Sequence, residues 1–109
     1  MMSVKNITPT ELYRLQQESG AIGVIDVRER EEFAALRSTI ATNMPLSSFD
    51  ANAVSKLLDR RSPVFLLCRS GARSKQAAQI LASKGFEAVY NVTGGMLEWE
   101  AKGLPVVRG

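Results

Sequence analysis

The chain has no histidine and a single cysteine, Cys68, and each scarcity excludes a class of chemistry. One thiol cannot build an intramolecular disulfide framework, and one thiol without histidine cannot supply an ordinary zinc site. Every Ser-His, Cys-His or other histidine-based acid–base mechanism is also excluded. Aromatic residues are only 6% of the chain. With 14 basic against 11 acidic residues the formal charge is +3. That excess is spread along the chain and not gathered with aromatics on one stretch, so it reads as solvated surface and not as a nucleic-acid face. No apolar run approaches the ~20 residues of a membrane span. Residues 1–19 alternate polar and apolar side chains, unlike a signal peptide. The expectation is a soluble, cytoplasmic, reduced protein with neither a membrane nor a nucleic-acid partner.

The 109 residues, 45% of them hydrophobic, suffice for a folded core without staples. No repeat or linker breaks the chain, so one domain over residues 1–109 is expected. Strand-like and helix-like stretches alternate. Thr8-Pro9-Thr10-Glu11 carries an N-cap, a proline at the first helical position and a capping-box glutamate. Leu12 and Leu15 continue an apolar stripe that ends at Ser19-Gly20. Residues 22–27 are a short apolar, β-branched run of the kind buried on both sheet faces, and Pro63 opens a second buried strand at 64–67. Asp50 is placed to cap a helix whose inner face is Val54, Leu57 and Leu58. Residues 74–84 read as a helix with Ala77, Ala78, Ile80 and Leu81 inward and Gly85 as its stop. Another strand spans 88–92, and Gly94-Gly95 leads into a last helix with Met96, Leu97 and Trp99. This alternation predicts an α/β fold: a small central parallel sheet with helices on both faces.

Ligands of such folds bind at the carboxyl ends of the strands, which directs attention to Cys68-Arg69-Ser70-Gly71-Ala72-Arg73-Ser74. The only thiol ends a buried strand just before a helix. Gly71 permits a tight turn, so that the amides of Ser70 to Ser74 can converge as an anion-binding nest. The helix dipole and the formal charge of Arg69, Arg73 and Lys75 would add to it. Each effect favours thiolate over thiol and so activates a nucleophile. The bland alternative is a small buried hydrophobe at a strand end, with Arg69 and Arg73 merely solvated. A lone cysteine would favour that alternative. Cysteine, glycine and two arginines together at a strand-to-helix junction favour a site.

These residues, with Val24-Ile-Asp-Val-Arg-Glu29, Glu32-Phe33, Asn43-Met-Pro-Leu46, and Asn91-Val-Thr-Gly-Gly95 followed by Trp99 and Gly103-Leu-Pro105, resemble the rhodanese family of sulfurtransferases. The resemblance runs from about Ile7 to Pro105. It implies that Cys68 takes the outer sulfur of a small anionic donor such as thiosulfate and carries it as a persulfide. A thiophilic acceptor, cyanide or a thiol or protein thiol, then removes it. No metal or organic cofactor is implied. Four residues separate Cys68 from Arg73. The family's phosphatase and arsenate-reductase relatives have a loop one residue longer, so that chemistry is disfavoured. A second reading is a sulfur-carrier or binding module that serves a protein partner and makes little use of thiosulfate.

That second reading is kept open by Leu36-Arg-Ser-Thr-Ile-Ala41, where many members have Gly-His-Ile-Pro-Gly-Ala. Non-glycine residues do not cheaply take positive φ, so the connection must run differently, with Arg37 where histidine would stand. Asp26 and Arg28 read as a pair that orders a strand end. Trp99 reads as core beneath the cysteine loop. Glu29, Glu31 and Glu32 read as helix-start acids. Having no second thiol to resolve a persulfide internally, Cys68 is expected to be reachable from outside.

Overall fold

The computed structural model describes residues 3–20 and 22–109. The reading that no leader begins the chain therefore lies, at Met1 and Met2, outside the described residues. Five parallel strands form the main sheet: β1 (Val4–Ile7), β2 (Gly23–Asp26), β4 (Thr42–Asn43), β5 (Val64–Leu67) and β6 (Val89–Val92). Their spatial order is β1-β6-β5-β2-β4. The helices are α1 (Pro9–Ser19), α2 (Arg30–Ala35), α3 (Ala51–Leu57), α4 (Ala72–Ser83) and α5 (Gly95–Ala101). A separate antiparallel pair joins β3 (Leu36–Ser38) to β7 (Val106–Arg108). This is the α/β architecture expected from the alternation of patterns. Among the described residues no helix is long and apolar enough to cross a membrane.

Local chemistry explains the boundaries. The Thr8 hydroxyl accepts from the Glu11 amide at 3.1 Å, and the Glu11 carboxylate accepts from the Thr8 amide at 3.0 Å. That reciprocal bond starts α1 one residue after the cap. Asp50 caps α3 through the Asn52 amide at 2.9 Å.

Strand periodicity divides the core into two layers. Val64, Leu66 and Cys68 join Ile25, Val27 and Val89 under Val54 of α3 and Ala77, Ala78 and Leu81 of α4. Phe65 and Leu67 turn the other way, to Leu12 of α1 and Met96 and Trp99 of α5. Three side chains expected inside are not. Leu57 is 63% exposed, Ile80 38% and Leu97 47%. Leu57 falls on the last residue of its helix. Ile80 lies outside the stripe that Ala77, Ala78, Leu81 and Ala82 bury, and Leu97 lies between the buried positions Met96 and Trp99. The three inner strands follow the apolar runs, whereas β1, β3, β4 and β7 carry no such run.

The segment 36–41 does run without positive φ, since among the described residues only glycines adopt it. It becomes β3, a turn and the approach to β4. Its anchor is a buried ion pair: Arg28 Nη2 lies 2.9 Å from Asp26 Oδ2, with both side chains at most 5% exposed. Arg28 also donates to the carbonyl of Leu36 at 2.7 Å and of Glu32 at 3.4 Å. Asp26 and Arg28 thus tie α2 to the end of β2, as an ordering pair. Replacing Arg28 by Ala leaves a buried carboxylate without its counter-charge, holding only the residue 28 amide, and should cost about 3–5 kcal/mol in urea unfolding. A loss below about 1 kcal/mol would show that the pair does not hold the segment.

Candidate functional site

β5 delivers Cys68 to the carboxyl end of the sheet, and Gly71, at φ +112°, turns the chain directly into α4. The helix begins at Ala72, earlier than the expected Ser74, so Ser74 stands in its first turn. The Gly71 amide donates to Cys68 Sγ at 3.1 Å. The Ser74 hydroxyl lies 3.3 Å from the same sulfur. Burial is the strongest single influence on the thiol and pushes its pKa up. The Ser74 hydroxyl and the amides of Ser74, Gly71 and Ser70 together outweigh it and hold Cys68 below the ordinary thiol value. Of the five amides expected to converge, those of Ser70, Gly71 and Ser74 act on the sulfur, as dipoles in a low-dielectric setting.

The back of the loop is held by α5. Amides of Met96 and Leu97 donate to the carbonyls of Cys68 (2.8 Å) and Arg69 (3.1 Å). This contact requires glycine at position 95: a Cβ there would lie 2.3 Å from the Cys68 carbonyl oxygen and 2.6 Å from Arg69 backbone atoms. Trp99 is fully buried on α5 and donates to the Pro105 carbonyl at 2.8 Å. It is core, but on the opposite sheet face from Cys68, not beneath the loop. It supports the loop only through its helix.

Arg73 departs most from expectation. Its guanidinium grips the Glu32 carboxylate through two hydrogen bonds, 2.6 and 2.9 Å. Instead of steering anions as a free charge, it clamps α4 to α2. The geometry is a fork on a carboxylate, the strongest form of such pairing. The Arg73 bond, against the opposing effect of burial, draws the Glu32 pKa down to about 2. Glu32 also accepts from the Glu29 amide at 3.0 Å, closing the capping box of α2. Lys75 is exposed and lines a cavity with Ser3, Val4, Gln79 and Ala82 beside β1. Arg69 and Ser70 are exposed on the loop, and Ala72 opens α4. Arg37 stacks on the Phe33 ring at 5.7 Å and donates to the Ala34 carbonyl.

Cys68 itself is 1% exposed. This corrects the expectation of an accessible thiol: the side chain points into the layer between the sheet and α4, under the Ser70-Gly71 turn. Two residues of the site had no assigned role in the sequence reading. Glu32 showed only as a helix-start acid, and no local pattern signals a partner 41 residues away. Asn91 is 6% exposed on β6, and its side chain meets both Ser74 and Gly71. A polar residue on the inward register of an apolar strand was the available signal.

A family model described as the rhodanese-like domain matches residues 8–102. The chain belongs to the rhodanese-like family. It is 35% identical over 104 residues to the thiosulfate sulfurtransferase GlpE of Pseudomonas putida, covering 93% of this chain and 89% of that one. An uncharacterized protein of Synechocystis is 34% identical over 102 residues, where 94% of this chain spans only 55% of the relative's length. Among solved structures, the polysulfide-sulfur transferase homodimer of Wolinella succinogenes superposes with a TM-score of 0.75 at 31% identity. That match covers 95% of this chain and 78% of the other.

Two expectations follow for this rhodanese-like loop. Gly95→Ala should cost about 2 kcal/mol or more, since both positive φ and a backbone clash oppose it. It should also alter the alkylation rate of Cys68; a stable variant with unchanged thiol reactivity would show that the α5 contact does not set the loop. Glu32→Gln should cost about 1 kcal/mol, given partial exposure. Because the folded pKa of Glu32 is depressed, its contribution is present above the ordinary value of 4.5 and lost as pH falls toward about 2. The variant's stability should therefore fall less steeply across that acid range, measured by unfolding at a series of pH values.

Proposed function

We propose that the protein is a sulfurtransferase in which Cys68 carries the sulfur. The observation that supports this reading is the cradle around Sγ: a strand-end thiol with an amide donor at 3.1 Å and a hydroxyl at 3.3 Å, held below its ordinary pKa. In the first half-reaction the thiolate attacks the outer sulfur of thiosulfate. A bond forms between Sγ and that sulfur, the donor's own S–S bond breaks, and sulfite leaves with the electron pair. The persulfide keeps the single negative charge that the thiolate had, so the loop amides face an anion in both forms. They are fixed in place before reaction, which avoids the reorganisation that solvent would need. Attack by cyanide or a thiol on the outer sulfur then restores Cys68.

In this reading Ser70, Gly71 and Ser74 form the cradle, and Arg69, exposed at the mouth, steers the donor. Arg73 acts on the loop's shape and not as a donor ligand. Ala72 contributes helix start alone, while Asp26, Arg28 and Trp99 hold the framework. No metal or organic cofactor takes part.

A second reading, a carrier that receives sulfur from polysulfide or from a protein persulfide, is favoured by one feature. Cys68 is buried, so a protein persulfide that docks and opens the Ser70-Gly71 turn has an advantage over a small free dianion. The likeness to a polysulfide-sulfur transferase separately supports a donor other than thiosulfate.

Intact mass before and after thiosulfate, then after cyanide, tests both. Only one thiol is present, so a gain of one sulfur that cyanide removes assigns both half-reactions to Cys68, and Cys68→Ser should abolish it. No adduct with thiosulfate but a one-sulfur adduct with polysulfide would select the carrier. Loss of sulfur transfer in neither condition after Cys68→Ser would overturn both.

A further inference from the structure

The Ser74 hydroxyl has one proton and two claimants. Its Oγ lies 3.3 Å from Cys68 Sγ and 2.5 Å from Asn91 Oδ1. Which end of the Asn91 carboxamide faces Ser74 is decided on its other side. Asn91 Nδ2 lies 3.2 Å from the Gly71 carbonyl oxygen, which can only accept, so the nitrogen must face Gly71 and the oxygen must face Ser74. Ser74 therefore donates to Asn91. The sulfur, as a neutral thiol, donates to the Ser74 oxygen and accepts from the Gly71 amide. The circuit is closed: Cys68 thiol to Ser74, Ser74 to Asn91, Asn91 to the Gly71 carbonyl, and the Gly71 amide back to the sulfur.

A thiolate cannot keep that circuit. It has no proton to give Ser74, and two acceptors, the sulfur and Asn91 Oδ1, now compete for one hydroxyl proton. If the hydroxyl turns to the sulfur, a buried amide oxygen loses its partner; if it does not, the charge loses a donor. Each outcome has a desolvation cost. Register explains why Asn91 can compete at all. It lies two residues after Val89 on the face of β6 that meets α4, in the same layer as Val64, Leu66 and Cys68.

We propose that Asn91 is a positioning residue for the reacting sulfur, whose Oδ1 holds the Ser74 hydroxyl while Cys68 is a thiol and yields it when the sulfur ionises. The thiol proton leaves to solvent, and the hydroxyl keeps its own proton and changes only its acceptor. Asn91 thus opposes ionisation of the resting thiol, and Ser74 favours it. Once the sulfur is substituted and its charge moves to an outer atom, the hydroxyl returns to Asn91. This inference rests on the reading of Cys68 as the reacting sulfur, but it concerns that thiol's ionisation and is independent of the identity of the donor.

The surrounding charges bear on the test. Arg73 of α4, which is influenced by Cys68 and Asp26, is paired with Glu32 of α2; Asp26 is paired with Arg28 at the end of β2. The loop's Arg69 is exposed, and α5 meets the loop through the backbone amides of Met96 and Leu97. None is changed in the variants.

The experiment is a titration of thiolate ultraviolet absorbance in four proteins: the unaltered chain, Ser74→Ala, Asn91→Leu and the double variant. Asn91→Ala replaces Asn91→Leu if the larger side chain prevents folding. Ser74→Ala should lower the thiolate fraction at a fixed pH below the transition by about tenfold, the scale of one hydrogen bond to a charge. Asn91→Leu should raise it about threefold or more where Ser74 is present, and should not raise it in the Ser74→Ala background. Equal effects of Asn91→Leu in both backgrounds, or a fall with Ser74 present, would make Asn91 a tether of Gly71 only and overturn the proposal. Because the readout is ionisation and not sulfur transfer, a protein inert to thiosulfate would still decide it.

Discussion

All five strands of the main sheet point the same way, and the site depends on that parallelism. Each crossover returns the chain to the amino end, so every strand delivers its last residues to one edge. Cys68 arrives from β5, Asn91 from its neighbour β6, and Asp26 with Arg28 from its other neighbour β2. The period-two alternation of the strands then sorts these residues by face. Cys68 and Asn91 fall in the layer under α4, and the helix brings Ser74 to both. An antiparallel arrangement of the same sequences would divide these groups between opposite ends of the sheet.

A loop made of seven residues is held from three directions. From behind, α5 uses its first amides on the carbonyls of Cys68 and Arg69, at a distance that only glycine at position 95 allows. From within, Asn91 meets the Gly71 carbonyl and the Ser74 hydroxyl. From the side, Glu32 takes the Arg73 guanidinium, and Arg28 fixes the carbonyl end of the same helix to Asp26. Formal charge is thereby spent on shape, and the sulfur is left with oriented dipoles. That division suits a buried anion, because dipoles anchored in the fold stabilise charge without bringing a counter-ion into contact with it.

The capped starts of α1 and α3, the inner strands and the cysteine loop were legible because their causes are local. A capping box involves residues three apart, and a buried parallel strand such as Val64–Leu67 is a short run of mostly apolar residues. The outer strands were not legible. Val4–Ile7 has two half-buried positions, and β4 is two residues long, so neither carries enough buried surface to mark its sequence. Ile80 and Leu97 were misplaced for a related reason. Helical spacing identifies a stripe, but which of two adjacent residues faces inward depends on how the helix is rotated against the sheet.

The sequence by itself determined that one thiol would end a central strand and meet a glycine turn at a helix start. Those are properties of neighbouring residues, and they suffice to lower a thiol's pKa in principle. Only the tertiary structure decided what surrounds that thiol. Arg73 is neutralised by an acid 41 residues away, Trp99 supports the loop from the far face, and the sulfur lies below the surface. Asn91 became part of the site through strand register, which aligns residues of different strands by hydrogen bonding. Pairing across such distances has no local signature, because its energy is realised only when the sheet has formed.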